Sequence, residues 1–177
     1  MQNQKVFLIS SKFVCHDISS QLLKIYHKNL PIVMCLGSDK VLSDMVGVLV
    51  ADILKQRHIP TYIFGGKGAN INKKMAQVIS RQISPNNLLF VDSGFLSQPN
   101  TIQMSPKTLL NNGRVIYSWS IVCGTIKAQN GKILLAETRF DEVLKYAHIV
   151  ADAICDYFCY VNLISGKNTI INDIVTS

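Results

Sequence analysis

The feature that most constrains the fold is a repeated order of short apolar runs and amphipathic segments. Apolar runs occupy 32-IVMCLG-37, 60-PTYIFG-65 and 88-LLFVDSG-94. Between them, segments 44–58 and 70–83 repeat apolar residues at helical spacing. Continuous apolar runs bounded by turn residues are typical of strands buried on both faces, and strands that alternate with helices indicate parallel pairing. The sequence therefore predicts an α/β fold, a three-layer sandwich with a largely parallel central sheet.

The N-terminal part of the chain adds one strand and one helix to this prediction. Residues 5-KVFLIS-10 favour a short strand, and residues 17–29 have the apolar spacing of an amphipathic helix. Asp17 is the expected N-cap of that helix, and Asn70 is the expected N-cap of the helix over 70–83.

The C-terminal part predicts further strands and a closing helix. Segments 114–126 and 132–140 are rich in β-branched and aromatic residues, which favours an antiparallel pair at the edge of the sheet. Residues 141–161 have the apolar stripe of a long helix. We expect a single domain over 1–165, followed by a C-terminal tail over 166–177.

Composition narrows the classes of function. The chain has 177 residues, of which 48% are hydrophobic and 16% are charged, with a net charge of +7. The longest basic cluster is 72-NKK-74, so a solvated basic surface is a better interpretation than a nucleic-acid site. The apolar runs are too short to cross a bilayer, and 1-MQNQKVFLIS-10 lacks the pattern of a secretory signal. These observations predict a cytoplasmic protein with no membrane partner.

Cysteine and histidine do not form a recognisable site in the sequence. The five cysteines contain no CxxC pair, which is typical of free thiols in a reducing compartment. Cys35 is a candidate for a catalytic group because it lies at the end of the first buried strand. None of the four histidines follows a strand, so the sequence predicts no histidine-bearing metal site.

Two aspartates are the best candidates for chemistry. Asp44 follows the first buried strand after a turn, and Asp92 ends the third. Since parallel strands present their carboxyl ends at one edge of a sheet, both side chains are expected at that edge. Two carboxylates there can share a proton or bind a divalent metal. Each acid could instead have a purely structural role. Asp44 could be the N-cap of the following helix, Asp39 could form an Asx-turn, and Asp92 could cap the next turn.

Three stretches resemble the YyaC-type sporulation proteins of spore-forming Firmicutes. They are 35-CLGSDKVLSDMVGVLV-50, 89-LFVDSG-94 and 136-AETRFDEVLKYAHIVADAI-154. Asp39, Asp44 and Gly47 match the first motif of that family, whereas Ser38, Ser43 and Val48 depart from it. The resemblance covers approximately residues 30 to 160.

The resemblance implies a function. YyaC-type proteins are similar to hydrogenase maturation endopeptidases and to the spore germination protease, which share a phosphorylase/hydrolase-like fold. The first acid of the maturation endopeptidases falls on Asp44 and their second on Asp92, whereas their metal-binding histidine has no counterpart. For the germination protease the resemblance implies an aspartate pair instead, and Asp44 and Asp92 fit that pattern. The resemblance thus implies a metal-independent endopeptidase without a cofactor, in which an aspartate pair hydrolyses a peptide bond. Its partner would be a protein or peptide substrate, and its compartment the cytoplasm of the mother cell or forespore.

Further residues are expected to support the site. Gly37, Gly47 and Asp39 would shape the loop that presents the first acid, while Lys67 and Arg114 would orient the substrate. The sequence is compatible with a homo-oligomer.

Two alternatives remain. The loops over 68–74 and 105–115 diverge from the YyaC pattern, which favours a catalytically inactive binding or scaffold protein on the same fold. The other is a metal-dependent hydrolase in which Asp39, Asp44 and Asp92 hold a divalent cation.

Overall fold

The computed structural model describes residues 4–83, 87–111, 114–129, 132–134 and 137–175, with the side chains of 108–111, 114–117 and 164–175 excepted. In chain order the elements are β1 (Lys5–Leu8), α1 (Val14–Tyr26), β2 (Ile32–Cys35), a 3-10 helix (Leu42–Asp44), α2 (Val46–Gln56), β3 (Ile63–Phe64), α3 (Lys73–Ile83), β4 (Leu88–Phe95), β5 (Thr101–Asn111), β6 (Arg114–Ile126), β7 (Ala128–Gln129), β8 (Lys132–Ile133) and α4 (Phe140–Val175).

A six-stranded sheet in the order β1-β5-β6-β4-β2-β3 forms the centre of the fold. β6, β4, β2 and β3 are parallel neighbours, whereas β1 and β6 both pair antiparallel to β5. β7 and β8 form a separate two-stranded antiparallel sheet. The prediction of an α/β fold with parallel strands at its centre is confirmed.

Apolar side chains of the central strands enter two different cores. Val33 and Leu89 belong to the larger cluster, while their neighbours Met34 and Phe90 belong to the smaller one. This alternation follows from the two-residue period of a strand. α1 and α2 pack against α4 in the larger cluster, and α3 contributes Ala76 to the smaller one. Both faces of the central strands are therefore covered, which explains why their sequences are continuously apolar.

The predictions for the edge of the sheet were partly wrong. The segment 105–115, expected as a loop, contains most of β5. Among the described residues of the predicted strand over 132–140, Lys132 and Ile133 form β8, and the others are not in a strand. The antiparallel edge of the sheet is formed by β1 and β5. Pro106 is tolerated in β5 because it lies beyond Met104, the partner of Lys5 in β1, so that β5 has a strand on one side only at this point.

The predictions for the helix starts also need correction. α1 begins at Val14, so Asp17 lies in its first turn rather than at its N-cap. At the start of α3, the side-chain oxygen of Asn72 accepts a hydrogen bond from the Met75 N–H at 3.0 Å, the role expected of Asn70. α4 continues to Val175, so its backbone extends beyond the predicted end of the helix at 161.

Candidate functional site

Close backbone contacts fold the chain back on itself after β2. Gly37 has a φ of 143° and donates its N–H to the Ile71 carbonyl oxygen at 3.0 Å. A Cβ on Gly37 would overlap the carbonyl oxygen of Asp44, and a Cβ on Gly47 would overlap that of Leu36. The Ser38 N–H closes the loop by donating to the Asp44 carbonyl oxygen at 3.1 Å. The two glycines are thus needed where the start of α2 approaches the end of β2.

Asp44 is not the N-cap that its position in the sequence suggested. It ends the 3-10 helix, and the N-cap of α2 is Met45, which makes no side-chain capping hydrogen bond. The 3-10 helix is instead held by β6, because the Thr125 hydroxyl donates to the Ser43 carbonyl oxygen at 2.7 Å. The Thr138 hydroxyl in turn donates to the Thr125 carbonyl oxygen at 2.9 Å. The backbone at Asp44 is therefore held in place, and its carboxylate is not used to cap a helix.

Asp92 reaches the same edge because β4 is longer than its neighbour. Cys35, the last residue of β2, pairs with Val91, so Asp92 is the first residue of β4 beyond the end of β2. Its side chain is 13% exposed and its Oδ2 lies 3.7 Å from Nζ of Lys73. Its Oδ1 accepts the N–H of Ser93 at 2.9 Å. The sequence placed Asp92 at the end of the strand, but β4 continues past it to Phe95.

A cleft of about 710 Å³ contains both acids. Its walls include Asp44 and Asp92, together with Asn70, Lys73, Lys74 and Ser93. The Ser93 hydroxyl is buried and has no hydrogen-bond partner among the described residues. A buried hydroxyl without a partner is uncommon.

The two aspartates influence each other electrostatically. The pKa of Asp44 is raised, first by burial and then by the negative charge of Asp92, while Lys73 opposes the shift. Burial and a nearby like charge both disfavour the ionised carboxylate. The cleft therefore brings together a carboxyl group whose pKa is raised and a second carboxylate that faces an ammonium group.

Asp39 supports the loop and lies apart from this pair. Its Oδ1 accepts a hydrogen bond from the Asn70 side-chain amide at 2.7 Å, and its Oδ2 accepts one from the Gly68 N–H at 3.3 Å. The hydrogen bond from Asn70, followed by that from Gly68, lowers the pKa of Asp39. Asn70 lines the cleft, whereas Asp39 is not among its lining residues. Asp39 thus joins the loop after β2 to the loop before α3.

The cationic residues of the cleft differ from those expected. Lys67 is exposed and does not line the cleft, and its backbone N–H donates to Oδ1 of Asp52 at 3.1 Å. Arg114 begins β6, and its side chain lies outside the described residues. The structure brings Lys73 and Lys74 to the cleft instead. Their cluster was visible in the sequence, but its distance from Asp92 depends on how the first turn of α3 packs.

The structure also bears on the other candidate groups. Cys35 is buried, and burial raises its pKa to about 12, so its thiol is not a nucleophile at neutral pH. Among the residues that the structure describes, no group of three His, Cys, Asp or Glu side chains could hold a metal ion. Asp44 and Asp92 are the acidic side chains that line the cleft, and they are its candidate oxygen ligands.

The fold and the cleft define an α/β protein with two interacting aspartates at the carboxyl edge of its parallel strands. A family model matches residues 2–153, and the chain belongs to that family, which is described as a protein of unknown function (DUF1256). A search of the curated proteins found no match to this chain. Across the described part of the chain, the helices are all too short or too polar to cross a membrane.

Proposed function

We propose that this protein is an endopeptidase that hydrolyses a peptide bond with Asp44 and Asp92. The observation that carries the proposal is the electrostatic interaction of these two aspartates in one cleft, where Asp92 helps to raise the pKa of Asp44. Paired carboxyl groups that share a proton can supply both an acid and a base at a pH between their two titration steps.

The environments of the two acids suggest their roles. Asp92 lies beside the ammonium group of Lys73, and its Oδ1 accepts the Ser93 N–H. Asp92 would accept a proton from water as the water oxygen attacks the substrate carbonyl carbon. Asp44 would give its proton to the carbonyl oxygen, forming a neutral tetrahedral intermediate. As the C–N bond breaks, Asp92 would return its proton to the amine and Asp44 would recover the proton of the hydroxyl group.

The same residues support a more specific assignment of the protein's type and biological setting. The motif around Asp39, Asp44 and Gly47 supports a YyaC-type protein of the phosphorylase/hydrolase-like, three-layer fold. On this assignment the protein acts during sporulation, in the cytoplasm of the mother cell or the forespore. Its substrate is a protein or peptide of that compartment.

The test is a search for new peptide termini. Purified protein is incubated with denatured protein extract from sporulating cells, and newly formed N-termini are labelled and identified by mass spectrometry. We expect cleavage by the wild type and by Asp141→Asn, a control that alters an exposed acid paired with Arg139. We expect none with Asp44→Asn or Asp92→Asn. Equal cleavage by all four proteins would overturn the proposal.

One observation favours a second candidate, a binding or scaffold protein on the same fold. The contact between Lys73 and Asp92 neutralises part of the charge that a general base needs. In that case the cleft would retain a peptide without cleaving it. Extract peptides that co-purify intact with the wild type, and no longer with Asp92→Asn, would support this candidate.

A further inference from the structure

A second cavity adjoins the cleft at the carboxyl ends of β4 and β6. It has a volume of about 360 Å³, and Ile126, the last residue of β6, lines both this cavity and the cleft that contains Asp44 and Asp92. We call it the side pocket, and its apolar lining consists of Phe95, Leu96, Pro99, Ile126 and Ala128. Ligand sites in proteins measure about 300–1,000 Å³, so the side pocket suits one amino-acid side chain better than a long segment.

One strand connects the acids of the cleft to the side pocket. Asp92 lines the cleft and Phe95 lines the side pocket, and both belong to β4. At the rise of a β-strand, their Cα atoms are separated by about 10 Å. An extended peptide covers the same distance with about three residues. A substrate whose cleaved bond lies at the acids can therefore place a nearby side chain in the side pocket.

The pairing of β4 with β6 is irregular between the two cavities. Ser93 of β4 pairs with Cys123 of β6. Phe95 pairs with Ile126, so β6 contains one more residue than β4 between these two pairs. Irregular pairing of this kind re-aims side chains and is frequent beside active sites. Here it lies at the boundary between the cleft, which Ser93 lines, and the side pocket, which Phe95 lines.

The charged groups that line the side pocket are paired with each other. Nζ of Lys127 lies 3.0 Å from Oε2 of Glu142, and it also donates a hydrogen bond to the Glu137 carbonyl oxygen at 3.1 Å. The other polar side chains of the lining, Ser97 and Asn100, are uncharged. A charged side chain that entered would leave water without gaining a free partner of opposite charge, which is costly. The side pocket therefore favours a neutral, apolar side chain.

We propose that the side pocket is a specificity site that receives an apolar side chain of the peptide substrate, within about three residues of the cleaved bond. The proposal rests on the proposed function and deepens it, since it names the class of peptide that the cleft accepts. Phe95 is the residue that tests it best. It is 57% exposed, so it can be replaced without opening a core, and its ring would be covered by a bound apolar side chain.

The first test measures binding without cleavage. Full-length protein with ¹³C-labelled leucine and isoleucine methyl groups is titrated with N-acetyl-phenylalaninamide and, separately, with the amides of N-acetyl-lysine and N-acetyl-glutamate. Leu96→Met and Ile126→Val assign the two methyl signals of interest by NMR. We expect the phenylalanine compound to shift both signals in a saturable way, and the charged compounds to shift neither.

Variants of Phe95 show whether the side pocket is responsible. Phe95→Ala should weaken binding of N-acetyl-phenylalaninamide by about three- to tenfold, because an aromatic contact is lost. Phe95→Leu should bind more tightly than Phe95→Ala because it keeps an apolar side chain. Phe13→Ala is the matched control, since Phe13 is 58% exposed and lines neither the cleft nor the side pocket. This control should bind as the wild type does.

The second test reads the residues beside each new terminus that the protein forms in the extract. We expect an apolar residue to be enriched at one fixed position within three residues of the cleaved bond, and Phe95→Ala to reduce this enrichment. The proposal is overturned if neither methyl signal shifts, if the charged amides bind equally well, or if Phe95→Ala binds as the wild type or as Phe13→Ala does. If binding follows the expectation and no peptide is cleaved, the proposed function fails while the side pocket stands as a binding site. Cleavage without an apolar preference overturns the side pocket alone.

Discussion

The substitution Gly47→Ala tests whether the close approach of α2 to β2 builds the site. Two effects oppose each other at this position. Alanine is favoured over glycine in a helix by about 1 kcal/mol. Its Cβ, however, would overlap the carbonyl oxygen of Leu36 and press on the carbonyl carbon and nitrogen of the same residue. These are backbone atoms of the segment leaving β2, so they cannot rotate away.

The steric effect is expected to be the larger one. Overpacking of a well-packed interior costs about 1–3 kcal/mol, and a contact with three backbone atoms places Gly47→Ala near the upper end of that range. After the gain in helix propensity, we expect a net destabilisation of about 2 kcal/mol. With a urea m-value of about 2 kcal/mol/M, the unfolding midpoint should fall by about 1 M. Peptide cleavage should fall as well, because relief of the contact moves the 3-10 helix that carries Asp44.

A matched control is available in β4. A Cβ on Gly94 would approach only a methyl group of the Val122 side chain, which can rotate, so Gly94→Ala should change the free energy of unfolding by much less than Gly47→Ala. Both variants are compared with the wild type by urea unfolding monitored by circular dichroism. If Gly47→Ala is as stable as the wild type or more stable, α2 does not approach β2 as closely as described, and the explanation of how Asp44 is positioned is wrong.

Three further predictions concern stability around the cleft. The pKa of Asp44 is raised above its usual 3.8, so the folded state holds this proton more tightly than the unfolded state. The resulting contribution to the free energy of unfolding is complete below pH 3.8 and is lost as the pH rises through the raised pKa. Asp44→Asn should therefore be more stable than the wild type in thermal unfolding at neutral pH, and a difference that persists below pH 3.8 would contradict this. Ser93→Ala removes a buried hydroxyl without a partner, so it should leave the free energy of unfolding unchanged or raise it by up to about 1 kcal/mol. Ser118→Ala removes a hydrogen bond to the Lys107 carbonyl oxygen and should lower the free energy of unfolding by a similar amount. Thr125→Val leaves the Ser43 carbonyl oxygen without its 2.7 Å hydrogen bond, so it should lower the free energy of unfolding in urea by about 1 kcal/mol and should reduce cleavage. Unchanged stability would show that this bond does not hold the 3-10 helix.

The central strands were predictable because their sequences carry a strong local signal. Residues 32–36 and 88–91 are apolar at consecutive positions, a pattern typical of strands buried on both faces. The edge of the sheet lacks that signal. In β5, the buried residues Ile102 and Met104 alternate with polar ones, and Pro106 interrupts the pattern. A strand of this kind is recognised only when its partners β1 and β6 are known.

Helix starts were less predictable for a related reason. Asn70 and Asn72 are both suitable N-caps in the sequence, two residues apart. The structure uses Asn72 for the cap and Asn70 for the hydrogen bond with Asp39, a residue 31 positions away. That choice depends on a contact between two loops, which local propensity does not contain.

The sequence by itself determined the order of strands and helices from β1 to β4 and the candidates Asp44 and Asp92, since hydrophobic period and turn residues are local properties of a chain. Only the tertiary structure decided that these acids line one cleft, that Asp39 does not line it, and that Lys73 rather than Lys67 faces Asp92. The physical reason is that pKa values and ion pairs depend on burial and on distances of a few ångströms. Such distances are set by strand register and helix packing, which join parts of the chain far apart in sequence.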